Sequence, residues 1–496
     1  MIIKSYINKT LLLILFSILF IGSCEDPNKD EKIFDPNIKI ISPNNNSIVN
    51  DTVSFSFDIN DENLIVRIDL YINNDSTGIS DISTPFSINW VTKKYQNGNY
   101  SAFIKAYDSL GNSSNSDTVQ FILDNFLIFN KTFGIPNNNE DGYSIIKTSD
   151  QGYAVLGNTG SENKDISLLK IDSLGNQIWI QSYGGSQYDE ARHFQETFDG
   201  GFIISGVTKS YGYGEEDIWI IKTNASGLID WNVNYGEGQN DRGAQILQTN
   251  EGGYIVIGEK YNIDLENSDL WLLKINSQGE LSWERTLGGI GDDRGYDIKN
   301  NRSGGYLLLG STNSFGNGGS DIWLINTDSA GNEIWSKTYG SSNNEYGRSI
   351  IDSDDGGYLI FATSESFGND NTGLHNIKID STGFEEWNKS FGGFYGKNGN
   401  VVRQSPSGGY ILISSRYNFN DNSYNMWLIK MDSNGSTEWT KTFGDSNNDY
   451  GFGIAITSDN GFILTGSTSN YGDSSSDLSD IWVIKTNLNG ETLDPN

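Results

Sequence analysis

A glycine pair followed by an aromatic residue returns through this chain on a fixed beat. It stands at Gly200-Gly201-Phe202, Gly252-Gly253-Tyr254, Gly304-Gly305-Tyr306, Gly356-Gly357-Tyr358 and Gly408-Gly409-Tyr410, with Gln151-Gly152-Tyr153 and Asn460-Gly461-Phe462 as the end copies. Counted on the second residue of each pair, the first step is 49 residues and the other five are 52. A period of this length means units that bury their faces only against neighbours, as in a propeller or a stacked array. Four strand-like runs fill each unit. Around Gly305 they are Tyr296 to Asn300, Gly305 to Gly310, Asp321 to Thr327 and Glu333 to Gly340. The second and third runs hold Leu307-Leu308-Leu309 and Ile322-Trp323-Leu324-Ile325, apolar on both sides, so both faces must be covered. Blades packed between two neighbours do this, and four runs per unit match four strands per blade.

The ends of the repeat predict how it closes. An aromatic-x-x-x-aromatic-Gly motif recurs at Trp179 to Gly184, Trp231 to Gly236, Trp335 to Gly340, Trp387 to Gly392 and Trp439 to Gly444, and at Trp283 to Gly288 with Leu287 in the second aromatic place. A seventh copy, Phe129 to Gly134, precedes the first full unit, while the last unit stops after Asp480 to Lys485. The expectation is an all-β chain with a seven-bladed β-propeller over 126–490, its last blade completed by the N-terminal strand, and a tail at 491–496. The pattern Trp-x-Lys-Thr-Tyr-Gly, Asp-Gly-Gly-Tyr, Asp-Ile-Trp-Leu-Ile-Lys resembles the propeller repeats of bacterial and archaeal surface proteins. That likeness implies a fold and leaves the activity open, because propellers host many chemistries.

Residues 1–23 read as an export signal. Lys4 and Lys9 precede an apolar run from Leu11 to Ile21 that is too short to span a bilayer. Ile21-Gly22-Ser23-Cys24 resembles the lipobox of bacterial lipoproteins, which implies lipidation of Cys24, the only cysteine of the chain. Its acyl chains would hold the protein at a membrane. Residues 24–37 then form a polar tether, and Glu25-Asp26 resembles the surface-export signal of Bacteroidota lipoproteins, implying an outer-membrane, surface-exposed address. The net charge of −31 leaves no basic surface for phosphates, which argues against nucleic acid.

Period-two alternation marks a second domain at 38–124. Val53, Phe55, Phe57 and Ile59 share a face, as do Val66, Ile68, Leu70 and Ile72 on the following strand. Seven or so short strands predict an immunoglobulin-like sandwich. The order Pro85 to Trp90, Gly98-Asn99-Tyr100 and Ala106 to Asn112 resembles bacterial Ig-like domains of cell-surface proteins, which implies a spacer.

Candidate functional residues are those that depart from the needs of the repeat. Eleven of twelve tryptophans fall on two repeat positions and serve packing, and His375 replaces one of them. His193 lies near a first strand and hence near the channel. Two unrelated histidines make no zinc cluster. Turns such as Asp328 to Asn332 and Asp352 to Gly356 lack the spacing of calcium loops and fit hairpin turns, so no cofactor is expected, with calcium as the one alternative. Twelve residues before each anchor stand Glu140, Asp189, Asp241, Asp293, Glu345, Lys397 and Asp449. These are expected either to lock adjacent blades or to ring one mouth of the channel as a cation or polar-ligand site. Loops on the same face carry Tyr211, Tyr213, Tyr261, Phe315, Phe367, Tyr417, Phe419 and Tyr471, positioned to stack on sugars or bury into a partner. The expected function is an envelope binding or adhesion protein for a polysaccharide or an envelope protein, and not an enzyme. A polysaccharide lyase or hydrolase and an envelope scaffold stand as alternatives.

Overall fold

A computed structural model describes residues 36–50, 52–59, 65–92, 95, 98–123, 128–134, 138–365, 373–392, 401–469 and 478–493. Cys24 and the segment around it, Phe367, Lys397 and Tyr471 lie outside the described residues. Among the described residues every regular element is a strand. The chain divides into two compact units, 1–123 and 124–496.

The first unit is a two-sheet sandwich. Ile38–Ser42, Thr52–Ile59 and Ile88–Val91 make one sheet; Ser47–Val49, Val119–Leu123, Gly98–Asp108, Ile65–Ile72 and Asp75–Asp81 run in that order through the other, with Ser113–Asn115 also paired to Gly98–Asp108. Phe55, Ile68, Leu70, Trp90, Ile104 and Phe121 fill the space between them. The Trp90 ring lies 4.7 Å from Tyr95 and 5.7 Å from Tyr100, so it is a core residue. One expectation needs correction. Val66 does not share the face of Ile68, because the register slips between Ile65 and Arg67, turning Ile65 inward and leaving Val66 exposed.

The second unit holds, among the described residues, seven four-stranded antiparallel sheets. Asp293–Asn300, Tyr306–Thr312, Asp321–Thr327 and Glu333–Tyr339 form a typical one, in sequence order. The last combines Asp449–Ile456, Phe462–Thr468 and Asp480–Thr486 with Phe129–Phe133 from the other end of the unit. That strand pairs antiparallel, Phe129 opposite Lys485 and Phe133 opposite Ile481, and Asn130 accepts a hydrogen bond from the Trp482 indole at 2.5 Å. First strands pack on one another: Glu140–Lys147 touches both Asp189–Glu196 and Asp449–Ile456. This is a β-propeller arrangement.

The repeated motifs now have physical reasons. In Gly200-Gly201-Phe202 the first glycine turns the hairpin at φ 80°, while a side chain on the second would strike the Thr223 carbonyl, 2.0 Å away. Gln151 and Asn460 hold the same turn at φ 70° and 65°. The third residue, Phe202, is buried between two sheets. At the start of the fourth strand, Trp283 lies over Gly331 in the next sheet's hairpin turn; a Cβ there would stand 2.7 Å from the indole. Phe129 lies over Gly175 and Trp439 over Gly490 in the same way. The second aromatic adds a bond where it is tyrosine: the Tyr183 and Tyr339 hydroxyls donate to the carbonyls of Gly227 and Gly383, each at 2.6 Å. The turn carboxylates are used locally. Asp328 accepts the backbone N–H groups of Ala330 and Asn332, both at 2.9 Å. The third-strand lysines are paired as well, Lys222 with Asp199 at 2.9 Å and Lys378 with Asp355 at 2.7 Å.

Candidate functional site

Where the first strands converge, a cavity of about 800 Å³ opens. Its lining is set by a backbone irregularity. Each described first strand of six sheets carries a β-bulge opposite the middle of the second strand, for example between Gly295 and Asp297 and between Gly347 and Ser349. A bulge inserts one unpaired residue and re-aims its side chain. The inserted residues are Tyr143, Arg192, Ala244, Tyr296, Arg348 and Phe452, and all six line the cavity. Glycines on the second strand make room for the kink: a Cβ on Gly310 would stand 2.0 Å from the Arg294 carbonyl oxygen.

The charge of the lining is opposite in balance to that of the chain. Five of the nine arginines are here, Arg192, Arg242, Arg294, Arg348 and Arg403, together with Lys209, against the carboxylates Glu190, Glu216, Glu259 and Asp297. Most of the cations are held in place by ion pairs. Arg242 lies between Glu216 and Glu259, the latter at 3.1 Å, and Arg294 meets Glu259 at 2.8 Å. Arg192 meets Glu190 at 2.7 Å. Arg348 is different. Its guanidinium sits over the rings of Tyr296 and Tyr346, 5.3 and 5.5 Å from their centroids, and donates to the Thr363 hydroxyl at 3.3 Å.

Deeper in the cavity, side chains reach across to the next sheet. Asp297 accepts the Ile350 N–H at 2.7 Å and Gln245 that of Ile298 at 3.0 Å. His193 faces the Ile246 N–H at 3.5 Å. Burial, aided by the Arg403 charge, lowers the His193 pKa to about 4, so the ring is neutral at pH 7. Burial raises the Asp297 pKa and lowers that of Arg403, which the two opposite charges partly offset. The Tyr143 phenol is pushed up by burial and by nearby Asp141 and Glu190, and stays protonated.

His193, expected near the channel, is on this wall; the described ring acids and aromatic loop residues expected from sequence are not. Asp189, Asp241, Asp293, Glu345 and Asp449 are buried, one position before the lining in the first three and three positions before it in the last two. Each holds the turn that leads into its own strand: Asp241 accepts the Glu237 N–H at 2.7 Å, Asp293 that of Gly289 at 2.8 Å, Glu345 that of Ser341 at 2.7 Å and Asp449 that of Asp445 at 3.0 Å. Asp189 accepts from Gly185 at 2.8 Å, and Glu140 from the Thr159 hydroxyl at 3.0 Å. Four of them have a second carboxylate beside them, from the start of the preceding third strand: Asp165, Asp217, Asp269 and Asp321, each with its pKa raised by burial and by the neighbouring acid. The glycine ending the fourth strand makes room for both. A Cβ on Gly236 would stand 1.7 Å from Asp217 Oδ1 and 3.1 Å from Asp241 Oδ2.

Among the expected aromatic loop residues, Tyr211 and Phe315 lean on third-strand tryptophans, 5.0 Å from Trp219 and 5.3 Å from Trp323. Tyr213 is exposed, and Tyr261 donates its N–H to Asp241 at 2.9 Å. Tyr417 meets Phe419 and Tyr424 edge to face. The lining residues missed in sequence follow the ring acids by one and three positions. The signal that marks them is the glycine in mid second strand.

Residues 36–103 match the family of bacterial Ig domains. No curated protein matches the chain. Among solved structures it is similar to the β-propeller domain of the trilobed protease from Pyrococcus furiosus, at 11% identity over 72% of this chain and 97% of that one, TM-score 0.40. It is similar to Pyrococcus horikoshii acylaminoacyl peptidase at 11% identity over 72% of this chain and 53% of that one, TM-score 0.40. Endo-arabinase from Bacteroides thetaiotaomicron shows 12% identity over 49% and 92%, TM-score 0.29. The chain thus spans about half the length of the acylaminoacyl peptidase. An Ig-like domain and a β-propeller make up the described protein. The expectation that it is not an enzyme is corrected: chains of like fold include peptidases and an arabinase, so this architecture gives no ground for excluding catalysis.

Proposed function

We propose that this is a cell-envelope binding protein, held at a membrane through lipidated Cys24, that presents a seven-bladed ring closed by Phe129–Phe133 with its carbohydrate site in the central cavity. Residues 1–23 are the signal, 24–37 the tether and the Ig-like domain the spacer. Bacterial Ig domains are typical of extracellular or surface proteins, which supports the address. The observation that carries the reading is the cavity wall itself, where tyrosine and phenylalanine rings stand beside guanidinium groups on bulged first strands. Aromatic faces stack on sugar rings, and fixed polar groups among them set orientation.

The test is retention of the full chain, purified in detergent, on a polysaccharide panel, with released sugar ends scored in the same wells. Tyr143→Ala is expected to lower retention about tenfold or more, in line with the loss of one aromatic anchor. Retention of no polysaccharide, or retention that Tyr143→Ala leaves unchanged, contradicts the site.

A further inference from the structure

The cavity has two unlike sides. On one stand the guanidinium groups of four successive sheets, Arg192, Arg242, Arg294 and Arg348. On the other, aromatic rings continue outward without a break. Tyr143 lies 5.2 Å from Phe452, Phe452 5.9 Å from Tyr450, Tyr450 5.4 Å from Tyr424, and Tyr424 5.0 Å from Tyr417. Beyond Tyr417 comes Phe419 at 5.1 Å, 71% exposed at the rim. A strip of rings that leaves a cavity in one direction suits an extended chain of rings.

Charge specifies what that chain carries. The protein has 64 acidic side chains against 33 basic ones, yet six cations line the cavity against four carboxylates. An excess of cations makes the local potential positive, and low-dielectric walls focus that field toward an anion. Three of the four carboxylates are engaged with Arg192, Arg242, Arg294 and Lys209, and Asp297 accepts the Ile350 N–H. Arg348 is in no ion pair among the described residues, and its fork is held against two tyrosine rings and the Thr363 hydroxyl. A planar guanidinium so held receives a carboxylate through two parallel hydrogen bonds.

Resting on the carbohydrate reading above, we propose that the ligand is an acidic polysaccharide, a uronate chain whose sugar rings lie along the strip from Phe419 to Tyr143 while one carboxylate meets Arg348. The probes are hexamers of galacturonate and mannuronate, each as the free acid and as its methyl ester, titrated calorimetrically into the full chain in detergent. A free acid is expected to bind about tenfold or more tighter than its ester, and Arg348→Gln to remove most of that preference. Should Arg348→Gln fail to fold, Arg348→Lys, which keeps the charge and loses the planar fork, is expected to reduce the same preference. Free acid and ester binding alike overturns the inference and leaves carbohydrate binding standing, as does retention of neutral polysaccharides alone. Failure of every polysaccharide removes both.

Discussion

Asp217 is buried to 2% exposure, and burial together with Asp241 raises its pKa above the ordinary carboxylate range, against the Tyr213 N–H that lowers it. A folded-state value above the unfolded one means the native protein binds the extra proton. That contribution is full below the unfolded value of about 3.9 and is lost as pH rises through the folded value. Asp217→Asn removes the charge and keeps an oxygen for the Tyr213 N–H, which reaches Asp217 at 2.7 Å. The chain already uses this solution at Asn425, which occupies the same place beside Asp449. The variant should therefore gain stability relative to the parent as pH rises from 4 to 7, read as a urea midpoint. A difference that shrinks across that window would show Asp217 charged and content. At Gly373 and Lys397 both acids are replaced together, as expected if the two positions act as a pair.

At the scale of the element, the hairpin turn between third and fourth strands carries the contact between sheets. Gly331 stands at φ 76°, and a Cβ there meets both a left-handed backbone and the Trp283 ring. Gly331→Ala should cost about 2 kcal/mol or more, seen as a lowered denaturant midpoint with an unchanged slope. Loss below about 0.5 kcal/mol would mean that Trp283 moves aside freely. The repeat made these elements legible in sequence: spacing, the glycine pair and the apolar second and third runs all point to four-stranded units. The wall of the cavity was harder to see. Strict alternation assigns Asp293 and Gly295 to one face and Arg294 and Tyr296 to the other, but the bulge breaks that alternation between Gly295 and Asp297. Side-chain direction there depends on a pairing partner, Gly310, more than a dozen residues away, so no local pattern announces it. Val66 escaped the reading for the same reason.

For the whole molecule, the strand Phe129–Phe133 decides whether the last sheet has four strands or three. It supplies a ladder to Asp480–Thr486, a partner for the Trp482 indole and the ring that lies over Gly175 in the first sheet. A chain lacking residues 129–133 should melt several degrees or more below one that begins at residue 125, and should expose the unpaired edge to self-association. Equal melting temperatures would mean that the strand only decorates a finished sheet.

Recognition in the cavity is tested most directly by a crystal structure of the full chain with the retained uronate hexamer. Sugar rings are expected against Tyr143, Phe452 and Tyr450, with a carboxylate in the fork of Arg348. A hexamer seated on the Ig-like domain or on the outer strands of the propeller, with the cavity free of sugar, would contradict it.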